Sequence, residues 1–148
     1  MISNQTFMKI AYLVGQESYC KRRQVGAVIV KENNIIALGY NGTPSGFENC
    51  CEDEYEAVTG LTPEGALVEN RLKTRPEVLH AESNAVSKCA RSTSSSEGAD
   101  IYVTTAPCVE CAKLIIQAGI KSVYYCEDYK TNDGIKLLNK AGLLVSKN

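Results

Sequence analysis

Apolar positions between Ser3 and about Tyr19 (Phe7, Ile10, Ala11, Leu13 and Val14) recur at helical spacing, with Ser3 or Asn4 as N-cap. Val25 to Val30 is a short β-branched run that reads as a buried strand, and Asn33-Asn34 turns it into a second strand, Ile35 to Tyr40. Residues 41 to about 78 lose periodicity. They hold four of the eleven glycines and three of the four prolines, and read as a long functional loop with room for some helix. Periodicity returns with a helix from about His80 to Arg91, followed by the polar connector Ser92 to Gly98, too short for a domain linker. Ile101 to Thr105 is a strand. Pro107 then stands where a proline opens a helix, and Gly119 caps that helix. Lys121 to Cys126 is a strand, Asp133 to Lys140 a helix closed by Gly142, and Leu143 to Ser146 a last strand. The order α-β-β-loop-α-β-α-β-α-β has no internal repeat. A strand hairpin followed by βα alternation predicts one domain over residues 1–148, an α/β fold with a mixed sheet and helices on both faces.

A chain of 148 residues can bury one proper core without help from disulfides. Its net charge of −1 comes with no block of Lys or Arg, which argues against a nucleic-acid polymer as the main ligand. The opening MISNQTFMKIAYLVGQES is amphipathic rather than leader-like, and no apolar run approaches the roughly 20 residues of a membrane span. A soluble, cytoplasmic protein that uses no membrane is the expectation. Seven cysteines are many for this length, and their odd number in a reducing compartment argues against a disulfide framework. Metal binding accounts for part of the excess. Cys89 and Cys126, on a helix and a strand, read as core thiols.

The chemistry concentrates in His80-Ala81-Glu82 and Pro107-Cys108-Val109-Glu110-Cys111. Cys108 and Cys111 lie three apart at a helix start, so both sulfurs face one side, where the helix dipole favours thiolate. Two thiolates and a neutral imidazole suit Zn2+, and three protein ligands leave its fourth position for water. His80 is the only histidine, and it too opens a helix behind a loop. Zinc lowers the pKa of such a water towards ~7. A carboxylate beside the metal but not bound to it, Glu82, can carry the protons that a hydrolytic attack must move. Taken singly, a CxxC could be a redox pair, or join Cys50 and Cys51 in a structural metal site. Together the two motifs form the H-x-E…P-C-x-x-C pattern of zinc deaminases of nucleobases.

On these motifs the chain resembles the cytidine deaminase superfamily, and within it the deoxycytidylate deaminases. The resemblance runs from Ile10 to Gly142 and includes Arg22 to Val30, Gly39-Tyr40-Asn41-Gly42-Thr43-Pro44-Ser45-Gly46 and Cys111 to Lys121. It implies a three-layer α/β/α sandwich and hydrolysis of dCMP to dUMP, feeding thymidylate synthesis. Zinc would be held by His80, Cys108 and Cys111, with Glu82 as proton carrier and Ala81 at the substrate. Asn41 would face the sugar, Tyr129 the substrate, and Arg22 or Arg23, a fork of donors, the 5′-phosphate. Family members are typically homo-hexamers, activated by dCTP and inhibited by dTTP with Mg2+, at a second nucleotide site involving Gly39, Tyr40, Asn41 and Gly42. Some relatives bind a second, structural zinc. Cys20 and Cys50 match two of its ligand positions and Cys51 is adjacent, but no second histidine exists and Glu77 is displaced by one residue. Two rival readings stand beside this one: a deaminase of another cytosine nucleotide or nucleoside (dCTP, deoxycytidine) or of an RNA adenosine, and an inactive zinc module that binds nucleotide. The near-neutral charge opposes RNA, and the free carboxylate of Glu82 opposes an inactive module.

Overall fold

The computed structural model describes residues 1–148. Helix α1 (Asn4–Gly15) starts at Ser3, whose hydroxyl accepts the Thr6 N–H at 3.2 Å. Strands β1 (Gly26–Lys31) and β2 (Asn34–Tyr40) form the expected hairpin. Its turn sits one residue earlier than predicted, on Glu32 and Asn33, both with positive φ, as a two-residue connection requires. Helix α2 (Ala81–Arg91), strand β5 (Asp100–Thr105), helix α3 (Val109–Gln117), strand β6 (Ser122–Glu127), helix α4 (Asp133–Lys140) and strand β7 (Leu144–Lys147) follow as anticipated.

The segment read as a loop is different. Residues 52–74 form a long hairpin, β3 (Glu52–Thr62) and β4 (Gly65–Thr74), paired antiparallel as a sheet of its own. Thr62-Pro63-Glu64-Gly65 makes its turn, with Gly65 at φ +133°. Proline, glutamate and glycine there mark a tight reversal between two strands rather than a structureless loop. Only the base of this hairpin is well covered; beyond Glu52 most residues of both strands are exposed.

The central sheet runs β2-β1-β5-β6-β7, antiparallel on the β2, β1 and β5 side and parallel from β5 to β7. β1 is apolar from Gly26 to Val30 because both its faces are covered. Val28 and Val30 meet Phe7, Met8 and Ala11 of α1 on one face. Ala27 and Ile29 join Ala81 and Ala85 of α2, Ala112 and Ile115 of α3 and Leu138 of α4 on the other. The result is the predicted α/β/α sandwich. Because β1 and β5 are antiparallel, the start of β1, the ends of β2, β5 and β6, and the first turns of α2 and α3 all gather at one sheet edge.

Candidate active site

His80 is the N-cap of α2 and Cys108 the N-cap of α3, and neither side chain caps its own helix. Both are therefore free to meet. His80 Nδ1 lies 3.5 Å from Cys108 Sγ and 3.3 Å from Cys111 Sγ, and the three ligand atoms lie within 4.8 Å of one another. Bond lengths of about 2.0 Å to nitrogen and 2.3 Å to sulfur put tetrahedral N···S edges near ~3.5 Å, so the spacing fits zinc. Glu82, in the first turn of α2, is 4% exposed and lies against Cys111 without being one of the three ligand residues.

The electrostatics are those of thiols packed against one imidazole. A hydrogen bond with the Cys111 thiol, reinforced by His80, pulls the Cys108 pKa down to about 3, while the same pairing and burial push Cys111 up. The His80 imidazole is raised, chiefly by its bond to Cys108. Burial raises the Glu82 carboxyl above its ordinary range, which suits a group that must take up and return a proton.

A cavity of about 450 Å³ opens onto this cluster. Of the residues singled out in the sequence, Cys20, Arg22, Arg23, Asn41, His80, Ala81, Glu82, Cys108 and Tyr129 line it, and Cys111 is buried beside it. Arg22 donates from Nη1 to Thr74 Oγ1 at 3.0 Å. Asn41 has a second occupation: its Nδ2 donates to the Arg23 carbonyl at 2.7 Å and its Oδ1 accepts the Val25 N–H at 2.8 Å. One N–H and one lone pair of that amide are left for a ligand. Sequence reasoning missed Glu52, Thr74 and Lys130, which also line the cavity. The first two belong to the hairpin taken for a loop. Lys130 was signalled only by its neighbour Tyr129, over whose ring its Nζ sits at 5.6 Å.

The backbone N–H groups along Gly39 to Gly42 are largely taken up within the fold. Gly39 is paired within β2 against Ala27, the Asn41 N–H bonds Val25 O, and the Gly42 N–H bonds Leu79 O. Of the four, only Asn41 reaches the cavity; the Tyr40 carbonyl accepts Asn84 Nδ2 and its ring lies under Lys88 Nζ. One expectation needs correction, at Cys20 and Cys51. Cys20 and Cys51 form a disulfide, although the odd cysteine count argued against a disulfide framework, while Cys50 remains a free thiol. The Cys20 and Cys51 sulfurs do lie near the Glu52 carboxylate, but a sulfur joined in a disulfide is not a thiolate ligand.

The cytidine and deoxycytidylate deaminase zinc-binding region matches residues 1–127. The chain belongs to that family. ComE operon protein 2 of Bacillus subtilis is 41% identical over 145 residues, covering 97% of this chain and 70% of its own. Human deoxycytidylate deaminase is 41% identical over 148 residues, covering 95% of this chain and 76% of its own. Among solved structures, the dCMP deaminase of cyanophage S-TIM5 in complex with dCMP and dUMP matches with a TM-score of 0.83 and 42% identity, over the whole of both chains. The family assignment makes the chain a zinc-dependent deaminase, and His80, Cys108 and Cys111 are the residues that fit the metal. No helix is long and apolar enough to cross a membrane.

Proposed function

We propose that the chain hydrolyses dCMP to dUMP and ammonia, with Glu82 as proton carrier and Arg22 or Arg23 at the 5′-phosphate. One observation carries this reading: a single cavity is lined by His80, Cys108 and Glu82 and by both arginines. A cytosine ring seated over His80 and Cys108 leaves its sugar phosphate to the arginines. His80, Cys108 and Cys111 would hold zinc, which when bound would make hydroxide available at neutral pH. Glu82 carries one proton from the attacking water to the ring nitrogen and a second to the departing amine, which leaves as ammonia. Asn41 offers its remaining N–H or lone pair to the sugar hydroxyl, and Tyr129 and Ala81 border the base. The deaminase names of the human and cyanophage relatives support dCMP as substrate.

The wider reading follows the resemblance to deoxycytidylate deaminases. The enzyme feeds thymidylate synthesis in the cytoplasm as a homo-hexamer, activated by dCTP and inhibited by dTTP with Mg2+. The test of substrate choice is a turnover panel of dCMP, dCTP, deoxycytidine and cytidine. The parent should prefer dCMP over deoxycytidine by at least about tenfold in kcat/KM, as charge-assisted phosphate contacts warrant. Replacing Arg22 or Arg23 by Ala should erode that preference by weakening dCMP. Equal efficiency on nucleoside and monophosphate would refute the phosphate assignment and favour a nucleoside deaminase.

A further inference from the structure

The base of the β3–β4 hairpin lies against the loop that carries both arginines. Glu52, the first residue of β3, is 8% exposed, and its Oε1 accepts the backbone N–H of Lys21 at 2.9 Å and of Arg22 at 3.0 Å. A buried carboxylate holding two successive amides makes charge-assisted bonds, the stronger kind, and fixes the direction of the chain at that point. Directly across the ladder from Glu52 is Thr74, whose hydroxyl accepts from the Arg22 guanidinium. One strand pair thus grips the backbone and the side chain of the same arginine. The loop's other end is held by Asn41, bonded to Arg23 and Val25. Residues 21–25 are clamped from two sides at the cavity wall, and the hairpin supplies one of the two clamps.

We infer that Glu52 is a positioning residue for the substrate phosphate: it presets the backbone of Lys21 and Arg22 so that the arginines face the cavity before substrate arrives. Preorganisation is how such a clamp acts on affinity, since a loop that is already ordered loses less entropy on binding. The carboxylate itself does not attract the phosphate, whose charge it shares. Its contribution is geometric. This inference rests on the phosphate reading above and extends it to a residue outside the zinc motifs.

The experiment compares kcat and KM for dCMP and deoxycytidine in the zinc-loaded parent, R22A, E52A, E52Q and E52D, with zinc content and melting temperature recorded for each. E52A should lower the dCMP-to-deoxycytidine ratio of kcat/KM by roughly tenfold, the order of effect expected for hydrogen bonds to a charged group. The loss should fall mainly on the KM for dCMP rather than on kcat. E52Q keeps an acceptor oxygen in the same place and should restore most of the ratio. E52D keeps the charge but is one methylene short, and should behave like E52A. If E52A fails to fold, the contrast between Gln and Asp still decides. A parent without preference for dCMP would overturn both the phosphate reading and this inference. A parent preference lost in R22A but unchanged in E52A and E52D would overturn this inference alone. Equal losses on both substrates, in kcat as much as in KM, would reduce Glu52 to a structural role and also overturn it.

Discussion

At His80 a single imidazole begins a helix and faces two sulfurs, and nothing else in the chain can replace it. Metal binding to such a set contributes to the free energy of folding, because the unfolded chain holds no preformed site. Substituting Ala for His80 should therefore cut bound zinc to roughly a tenth of the parent level or less and lower the melting temperature. Elemental analysis beside a thermal melt checks both; an H80A protein with full zinc would remove His80 from the ligand set. The metal residues were legible in the sequence because their spacing alone implies their geometry. Two helix starts at one sheet edge bring together whatever side chains open them. Asn41 was legible only in part. Its position beside the cavity follows from the end of β2, but its hold on Arg23 and Val25 depends on a loop path that no periodicity encodes.

Gly39 connects two elements: it is the β2 residue on which α2 rests. A Cβ there would stand 2.3 Å from the Ala81 carbonyl oxygen and 2.6 Å from the Ala85 nitrogen, both backbone atoms of the helix that carries Glu82. Side chains can turn aside from such a collision; helix backbone cannot. Gly39→Ala should displace the start of α2 and cost more than about 2 kcal/mol, the upper range of overpacking. Denaturant melts and zinc content measure this, and a G39A protein with unchanged stability and metal would show that α2 is not seated as described. The central elements were readable because apolar runs and turn residues agree there. The β3–β4 hairpin was not, since an exposed ribbon has no buried face to impose alternation, and Tyr55, Val58, Leu61, Leu67 and Val68 remain in solvent. The Thr62-to-Gly65 turn was its one clear signal. Missing it also hid Glu52 and Thr74, and with them the way Arg22 is held.

Across the whole molecule, the fold brings a metal triad, a buried carboxylate and two arginines to one cavity at one sheet edge. The proposed regulation belongs to this scale too. An effector shifts activity only through unequal affinity for two states of the enzyme, so dCTP should lower the dCMP concentration needed for half-maximal rate and dTTP with Mg2+ should raise it. Hyperbolic dCMP kinetics unmoved by saturating dCTP or dTTP would remove the regulatory reading and leave the chemistry intact. The chemistry stands or falls on Glu82. The Glu82→Gln change is nearly isosteric and removes only the proposed proton carrier, so the decisive measurement is dCMP turnover by E82Q beside its zinc content. With zinc bound at the parent level, turnover should fall by roughly 10²–10⁴-fold. A zinc-loaded E82Q that converts dCMP to dUMP within about threefold of the parent rate would fall far outside that range and contradict the account.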